Sequence, residues 1–392
     1  MTPRSSLPLI VLLLASPTLA QQQFKTQTVP KLPGCCTHQT YDVNDNGTVT
    51  GVSTAPDYSK HMITWSKPNG LRDWGWGYGR AINNAGDVVG TDLASNGTIW
   101  IDGSITTIAA PLLDINDSQL AVGYDVRVGA MRWSPGTAGT AIGWGLGSEA
   151  HAVNNAGTIV GCKLVGGYAH AAVGDLDIHA IGIESCATGI NSSGQVTGWA
   201  GDGNRRHGWL WDPTTKLTTD LGFPTGCVGV SPTAISDNGQ IVGWMCNPAH
   251  AFVWTGSGVP QDLNPLTGLT NGTNKQAMAV NRWGQILLLN RRLLTPMMHV
   301  NLAPNINPAQ VGQPVTFMAY VYSIAGPAPD GDLIQFKLGP KVVATVPLVN
   351  HGHAQFTVSF PYPGYPFTVS AVYVGNGIYA RAARSIPEIV NP

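Results

Sequence analysis

One short phrase, Ile/Val-Asn-x-x-Gly-x-Val/Ile-x-Gly, occurs seven times in the first three-quarters of the chain and limits its fold more than any other feature. The cleanest copy is Ile82-Asn83-Asn84-Ala85-Gly86-Asp87-Val88-Val89-Gly90; the others begin at Val43, Ile115, Val153, Ile190, Ile235 and Val280. Three copies are imperfect. Gln119 replaces the first Gly of the third, Ser236 replaces the Asn of the sixth, and the seventh ends in Leu288. Successive Asn positions lie 39, 33, 38, 37, 45 and 45 residues apart, a period shared by propeller blades and helical arrays. The alternation of apolar and small residues around turn residues has period two, which excludes the helical array. Asn can bond its own backbone two residues on, and Gly can take the positive φ that closes a type I turn with a bulge. Each copy therefore reads as a β-hairpin.

A second element follows at a regular distance: His61-Met62-Ile63-Thr64-Trp65, His207-Gly208-Trp209-Leu210-Trp211 and His250-Ala251-Phe252-Val253-Trp254. Weaker copies end at Trp100 and Trp133, and His170-Ala171-Ala172-Val173 keeps only the His. A third element follows, as in Leu217-Thr218-Thr219-Asp220-Leu221-Gly222 and Gln261-Asp262-Leu263-Asn264. Three or four short strands per unit is the content of one propeller blade. The last unit, ending Arg291-Arg292-Leu293-Leu294-Thr295-Pro296, lacks its tail, whereas the segment from Thr26 to Cys35 resembles such a tail. A strand supplied from the N-terminus would complete the last blade and remove an exposed edge. The expected fold is all-β: a seven-bladed β-propeller over residues 21–296, or a six-bladed one if the third or seventh copy is degenerate.

Beyond Pro296 the phrase stops, and no Trp occurs although twelve precede it. Strand patterns at Pro314–Ser323, Asp332–Leu338, Val342–Leu348, Ala354–Phe360 and Phe367–Val374, separated by Gly/Pro/Asn turns, predict an Ig-like β-sandwich over residues 299–392. It contains no Cys, so its core must hold without a disulfide.

The first twenty residues read as a signal peptide. Arg4 gives the positive start, Leu7 to Ala15 an apolar core too short to span a bilayer, and Thr18-Leu19-Ala20 a small-residue cleavage site. No later segment reaches spanning length, so a secreted, extracellular or periplasmic protein is expected, without a membrane span. Six cysteines then belong to an oxidising compartment. Cys227 and Cys246 flank one hairpin, Cys162 and Cys186 sit in consecutive units, and Cys35-Cys36 is vicinal. Disulfides are favoured over a metal because no spacing is CxxC-like. A formal net charge of -1 offers no electrostatic handle for nucleic acid or an anionic membrane.

Two resemblances emerge from these residues. The order Asn-x-x-Gly-x-Val-x-Gly, His-Ala-Phe-x-Trp, Asp-Leu-Gly over roughly residues 24–296 resembles the HAF-type extracellular repeat of bacteria, and His250-Ala251-Phe252 spells out that name. Val311-Gly312-Gln313-Pro314-Val315-Thr316-Phe317, Gly331-Asp332-Leu333-Ile334-Gln335-Phe336 and Tyr373-Val374-Gly375-Asn376 resemble the signatures of bacterial Ig-like repeat domains. The resemblance implies secreted or surface-exposed proteins without a known catalytic mechanism; the Ig-like modules are associated with adhesion and spacing.

The candidate sites lie mostly where the copies differ. Trp74, Trp76, Tyr78 and Trp144 precede the second and fourth copies, and such connections emerge on one face of a propeller, so these aromatics could stack on a glycan or grip a protein surface. Asp42-Val43-Asn44-Asp45-Asn46-Gly47 opens like a calcium loop, but its twelfth position is Ser53 where a bidentate Glu is needed, so the turn reading is preferred. His61, His170, His207 and His250 could ring a channel around a metal, but a repeated strand position is expected to bond backbone. Trp65, Trp100, Trp133, Trp211 and Trp254 are expected to pack between blades. Glu149, His151 and Asp73 could serve a two-carboxylate hydrolase, but no Gly-x-Ser-x-Gly, HExxH or Walker sequence is present. No cofactor, metal or catalytic residue is assigned. The expected role is non-catalytic binding or adhesion, with the propeller as ligand platform and the Ig-like domain as spacer or docking module. A polysaccharide hydrolase or lyase is the alternative.

Overall fold

In a computed structural model, which describes residues 22–34, 36–178, 183–201, 205–268 and 274–392, every copy of the phrase closes a β-hairpin. The signal-like residues 1–20 and Cys35 lie outside this set. In the first hairpin the Gly47 N–H donates to the Asn44 carbonyl at 3.0 Å, with Gly47 at φ 71°. The Asn44 side chain completes the turn, its Oδ1 accepting the N–H groups of Asn46 and Thr48 at 3.1 and 2.9 Å. In the third copy Gln119 takes the glycine's place at φ 59°, at a cost of about 1 kcal/mol for a residue with a Cβ.

Among the described residues the hairpins extend into seven four-stranded antiparallel sheets, here called I to VII. Sheet I consists of His38–Val43, Val49–Thr54, Lys60–Ser66 and Gly70–Trp76 in sequence order. Sheets II to VI repeat the plan, with first strands Tyr78–Ile82, Leu112–Ile115, Glu149–Val153, Glu184–Ile190 and Val230–Ile235. Sheet VII takes Ala277–Val280, Ile286–Leu288 and Arg292–Pro296 from its own region and its fourth strand, Phe24–Thr28, from the N-terminus. That strand pairs antiparallel with Arg292–Pro296, Phe24 opposite Pro296, and covers an edge that would otherwise present unpaired backbone. Each first strand contacts the first strand of the next sheet, and that of VII contacts that of I. The seven sheets thus form a closed ring around a central channel.

Apolar clusters fill each interface between sheets. Between IV and V, for example, Ala152, Val160 and Ala171 meet Ala187, Val196, Trp209 and Trp211. Trp65, Trp100, Trp133, Trp211 and Trp254 are only 3–6% exposed, as packing residues should be. The recurring histidines do not ring the channel. They lie on the third strand of their sheets, and each meets the carboxylate of an Asp on the fourth: His61–Asp73, His170–Asp177, His207–Asp220 and His250–Asp262, at 2.7–2.9 Å. Their partner is therefore a side chain and not backbone, which explains why His and Asp recur together. Cys162–Cys186 joins sheets IV and V, and Cys227–Cys246 ties the segment before sheet VI to the end of that sheet's second strand. Cys36 is also disulfide-bonded.

The remainder forms two sheets over a core of its own. One contains His299–Pro304, Pro314–Ser323, Gly326–Pro327 and His353–Ser359; the other contains Ala309–Gln310, Leu333–Leu338, Lys341–Pro347, Gly364–Tyr373 and Ala382–Asn391. Alternate residues Val315, Phe317, Ala319 and Val321 of one sheet pack with Ile334, Phe336, Val369, Ala371 and Tyr373 of the other. The sequence patterns missed the strands His299–Pro304 and Ala382–Asn391, whose apolar residues do not alternate cleanly. This unit rests on the turns of sheets VI and VII: Asn238 Nδ2 donates to the Ala325 carbonyl at 2.6 Å, and Tyr379 donates to the Trp283 carbonyl at 2.6 Å. Trp283 also meets the Tyr379 ring edge-on. Among the described residues no helix is long and apolar enough to cross a membrane.

The turns are linked to one another. Asn44 Nδ2 donates to the Asn83 carbonyl, Asn83 to Asn116, Asn116 to Asn154, Asn154 to Asn191, Asn191 to Ser236, and Asn281 back to Asn44, at 2.8–3.1 Å. Ser236 is too short to continue to sheet VII. Each buried amide thus satisfies its own turn and grips the next. Asn116→Ala removes one donor and strands the N–H groups of Ser118 and Leu120, so a loss of about 3 kcal/mol in urea unfolding is expected.

Candidate functional site at the channel mouth

The channel is shaped by a β-bulge that recurs at the same place in every sheet. Pairing of the first strand with the second slips by one residue between Thr40 and Asp42 in sheet I, and likewise in the other six. The slipped residues are Tyr41, Arg80, Leu113, His151, Thr188, Thr233 and Met278, one from each sheet, and they line a cavity of ≈ 240 Å³. A bulge bends the strand and re-aims a side chain. It also explains the last Gly of the phrase. A Cβ on Gly51, Gly90, Gly123, Gly161, Gly198 or Gly243 would fall on a carbonyl oxygen of the bulged strand. This glycine is retained for close approach, not for positive φ.

The next residue of each first strand faces the same channel. It is Ala81, Ala152, Gly189, Ala234 or Ala279 in five sheets, but Asp42 in sheet I and Asp114 in sheet III. Asp42 accepts the N–H of Val43 and, across the interface, that of Ile82, both at 2.8 Å. Asp114 does the same for Ile115 and Val153. Burial nevertheless dominates. Desolvation lifts Asp42 to about 6 against the opposing pull of its two backbone donors, with a smaller push from Asp45. Desolvation, then the nearby Asp42 charge, lifts Asp114 to about 7. Below this level a second cavity of ≈ 190 Å³, sharing Asp42, Ile190, Ile235 and Val280 with the first, leads to the Asn turns.

At the opposite face, where the first strands begin, the channel opens between two polar groups. On one side the Arg80 guanidinium lies 4.8 Å from the centre of the Tyr41 ring, and the Tyr41 hydroxyl donates to Gln39 at 2.7 Å. Burial raises the Tyr41 hydroxyl's pKa, partly offset by Arg80. On the other side His151 Nε2 meets Glu149 Oε2 at 2.9 Å, an interaction that holds the Glu149 carboxyl below its usual range. Beside sheets IV to VI the same face carries a ≈ 510 Å³ cleft lined by Tyr168, Ile183, Glu184, Trp199, Arg206 and Val228 among others. There the Arg206 guanidinium stands 4.1 Å over the Trp199 ring.

The four aromatics singled out in the sequence do not form one cluster. Trp144 is 5% exposed, packed between sheets III and IV with Val122, Ala130 and Ile159, and is unavailable to a ligand. Trp74 is half-buried against Met62, Ile82, Val88 and Trp100, donates to Thr64 at 2.8 Å and is covered by the Arg72 guanidinium. Trp76 is 69% exposed, and Tyr78 begins the first strand of sheet II. Asp73 is the partner of His61, not of a channel group. The calcium-like loop is a turn whose oxygens are already occupied: Asp42 and Asn44 accept backbone N–H groups, and Asp45 accepts that of Arg282. Of the bulge residues only His151 stood out in the sequence, and the pairing of Asp42 with Asp114 did not. Alignment of the copies carried the signal, since the position two before each Asn is Ala or Gly except at these two.

No family model matches the chain, and no curated protein matches it. Among solved structures it is similar to two extracellular domains from B. thetaiotaomicron. One is assigned to a one-component system (10% identity, TM-score 0.42, 95% of this chain and 60% of that one). The other is assigned to a hybrid two-component system (10% identity, TM-score 0.36, 94% of this chain and 57% of that one). The chain thus spans about three-fifths of the length of the solved structures it matches.

The raised carboxyls set a pH dependence. Because native Asp42 and Asp114 keep their protons above the ordinary value of 3.8, the native state binds more protons than the unfolded chain between about pH 4 and pH 7, and stability falls as pH rises through that window. Asp114→Asn should remove up to about 4 kcal/mol of this decline, seen as a flatter plot of melting temperature against pH.

Proposed function

We propose that the chain is a non-catalytic extracellular ligand-binding protein: a seven-bladed β-propeller of HAF-like repeats over residues 21–296, exported by residues 1–20, with an Ig-like domain over residues 299–392 as spacer or docking module. Two disulfides suit an oxidising compartment. The ligand is taken at the open channel mouth. The observation that carries this reading is the division between the two ends of the ring. At the turn end the copies repeat the same Asn and Gly, and the C-terminal unit rests on two of the turns. At the mouth, the seven bulge positions carry six residue types around a shared cavity. A structural role favours repetition; recognition requires difference. Arg80, Tyr41 and the paired carboxyls below them suit a ligand rich in hydroxyl or ammonium groups, and an extracellular glycan has that chemistry.

A second reading, polysaccharide hydrolysis, is favoured by one observation. Asp114, lifted to about 7 beside Asp42, is a carboxylic acid able to hold a proton at neutral pH. A glycan array on the exported protein, paired with turnover assays on every hit, separates the two. Binding without product, weakened at least tenfold by Arg80→Ala at an unchanged melting temperature, is expected. Product release abolished by Asp114→Asn would establish hydrolysis instead, and binding unaffected by Arg80→Ala would remove the ligand from the mouth.

A further inference from the structure

Among the described residues one trio of metal-ligating side chains converges: one nitrogen of His151 and the sulfurs of Cys162 and Cys186 all lie within 4.8 Å of one another. His151 Nδ1 stands 3.6 Å from the Cys186 sulfur, and Nε2 stands 3.8 Å from that of Cys162. Nε2 also meets the Glu149 carboxylate at 2.9 Å. If Nε2 carries the proton and donates it to Glu149, the Nδ1 lone pair is left towards the sulfurs. A carboxylate that fixes the tautomer of an imidazole in this way is the usual outer partner of a metal-bound His. A second disulfide, Cys227–Cys246, has no such company among the described residues, and the repeated histidines each face an Asp on the neighbouring strand.

We propose that reduction of Cys162–Cys186 creates a Zn²⁺ site formed by Cys162, Cys186 and His151 Nδ1, with a fourth position open to the channel mouth. A dithiol reductant supplies the two electrons and two protons that convert the disulfide into two thiols, and is itself oxidised to a disulfide. Zn²⁺ then displaces both thiol protons to solvent as two Zn–S bonds form. The metal does not change oxidation state, and the Nε2 proton stays on the Glu149 hydrogen bond. Zn–S bonds of about 2.3 Å and a Zn–N bond of about 2.0 Å require the sulfurs to separate to roughly 3.7 Å, within reach of side-chain rotation when the Cα atoms are 4.8 Å apart. Three protein ligands and an open position are the pattern of reactive zinc centres, not of closed structural ones. This inference is independent of the ligand reading of the channel.

The test uses Co²⁺ as a spectroscopic probe on the full exported chain, reduced with a dithiol and transferred to anaerobic, metal-free buffer. Expected are thiolate-to-cobalt charge-transfer and tetrahedral d–d bands that saturate at one equivalent, are displaced by Zn²⁺, and are absent from the oxidised protein. Cys162→Ser should abolish them, and His151→Ala and Glu149→Gln should weaken affinity about 10–100-fold. The double variant Cys227→Ser/Cys246→Ser should retain them. Bands that survive Cys162→Ser or vanish in that double variant overturn the proposal. So does a reduced chain that keeps its strand circular dichroism and takes up no cobalt, or one that has lost that signal and does not regain it with cobalt.

Discussion

The structure depends on a carboxamide that serves two sheets. Each Asn of the repeated phrase uses its oxygen to close its own turn and its NH₂ group to hold the carbonyl of the next. Six such links run around the ring and close it through Asn281 and Asn44. A single link contributes about 1 kcal/mol. Their value lies in geometry, because each fixes the position of one sheet relative to its neighbour at the narrowest radius, and the apolar clusters farther out pack on that frame. The one gap, at Ser236, lies where the C-terminal unit is received: Asn238 and Gln240 of that turn donate to Ala325 and Ile324.

The same repeat builds the channel. A bulge placed just before each turn directs one side chain inward, and the paired glycine makes room for it. A repeating scaffold thereby presents seven side chains, one from each sheet, to the channel. Most hold uncharged groups, and two do structural work: Thr188 and Thr233 hold carbonyls of the next sheet at 3.0 and 2.8 Å. The chemistry gathers at Arg80 with Tyr41, at His151 with Glu149, and at the two carboxyls beneath.

Much of the fold was legible because its elements are local. Period-two alternation marked the strands, Asn and Gly marked the turns, and the tail-like N-terminus marked the strand that completes sheet VII. The site was less legible. Trp74 and Trp76 are two residues apart in one strand, yet one is pinned by Thr64 and Arg72 while the other is exposed. Trp144 has the Gly-flanked look of a binding loop and is buried between sheets. Residues of the same and the adjacent sheet, distant in sequence for the most part, decide such cases.

The sequence by itself determined the repeated hairpin, the all-β content and the change of composition after Pro296, since these follow from backbone preferences and short-range patterning. Only the tertiary structure decided what the phrase is for. The amide of each Asn reaches a carbonyl more than thirty residues away. The last Gly avoids a bulge that no local rule announces. Asp42 and Asp114, seventy-odd residues apart in the chain, become neighbours in a desolvated channel because closing the ring brings sheets I and III to the same axis, where burial raises the energy of both charges.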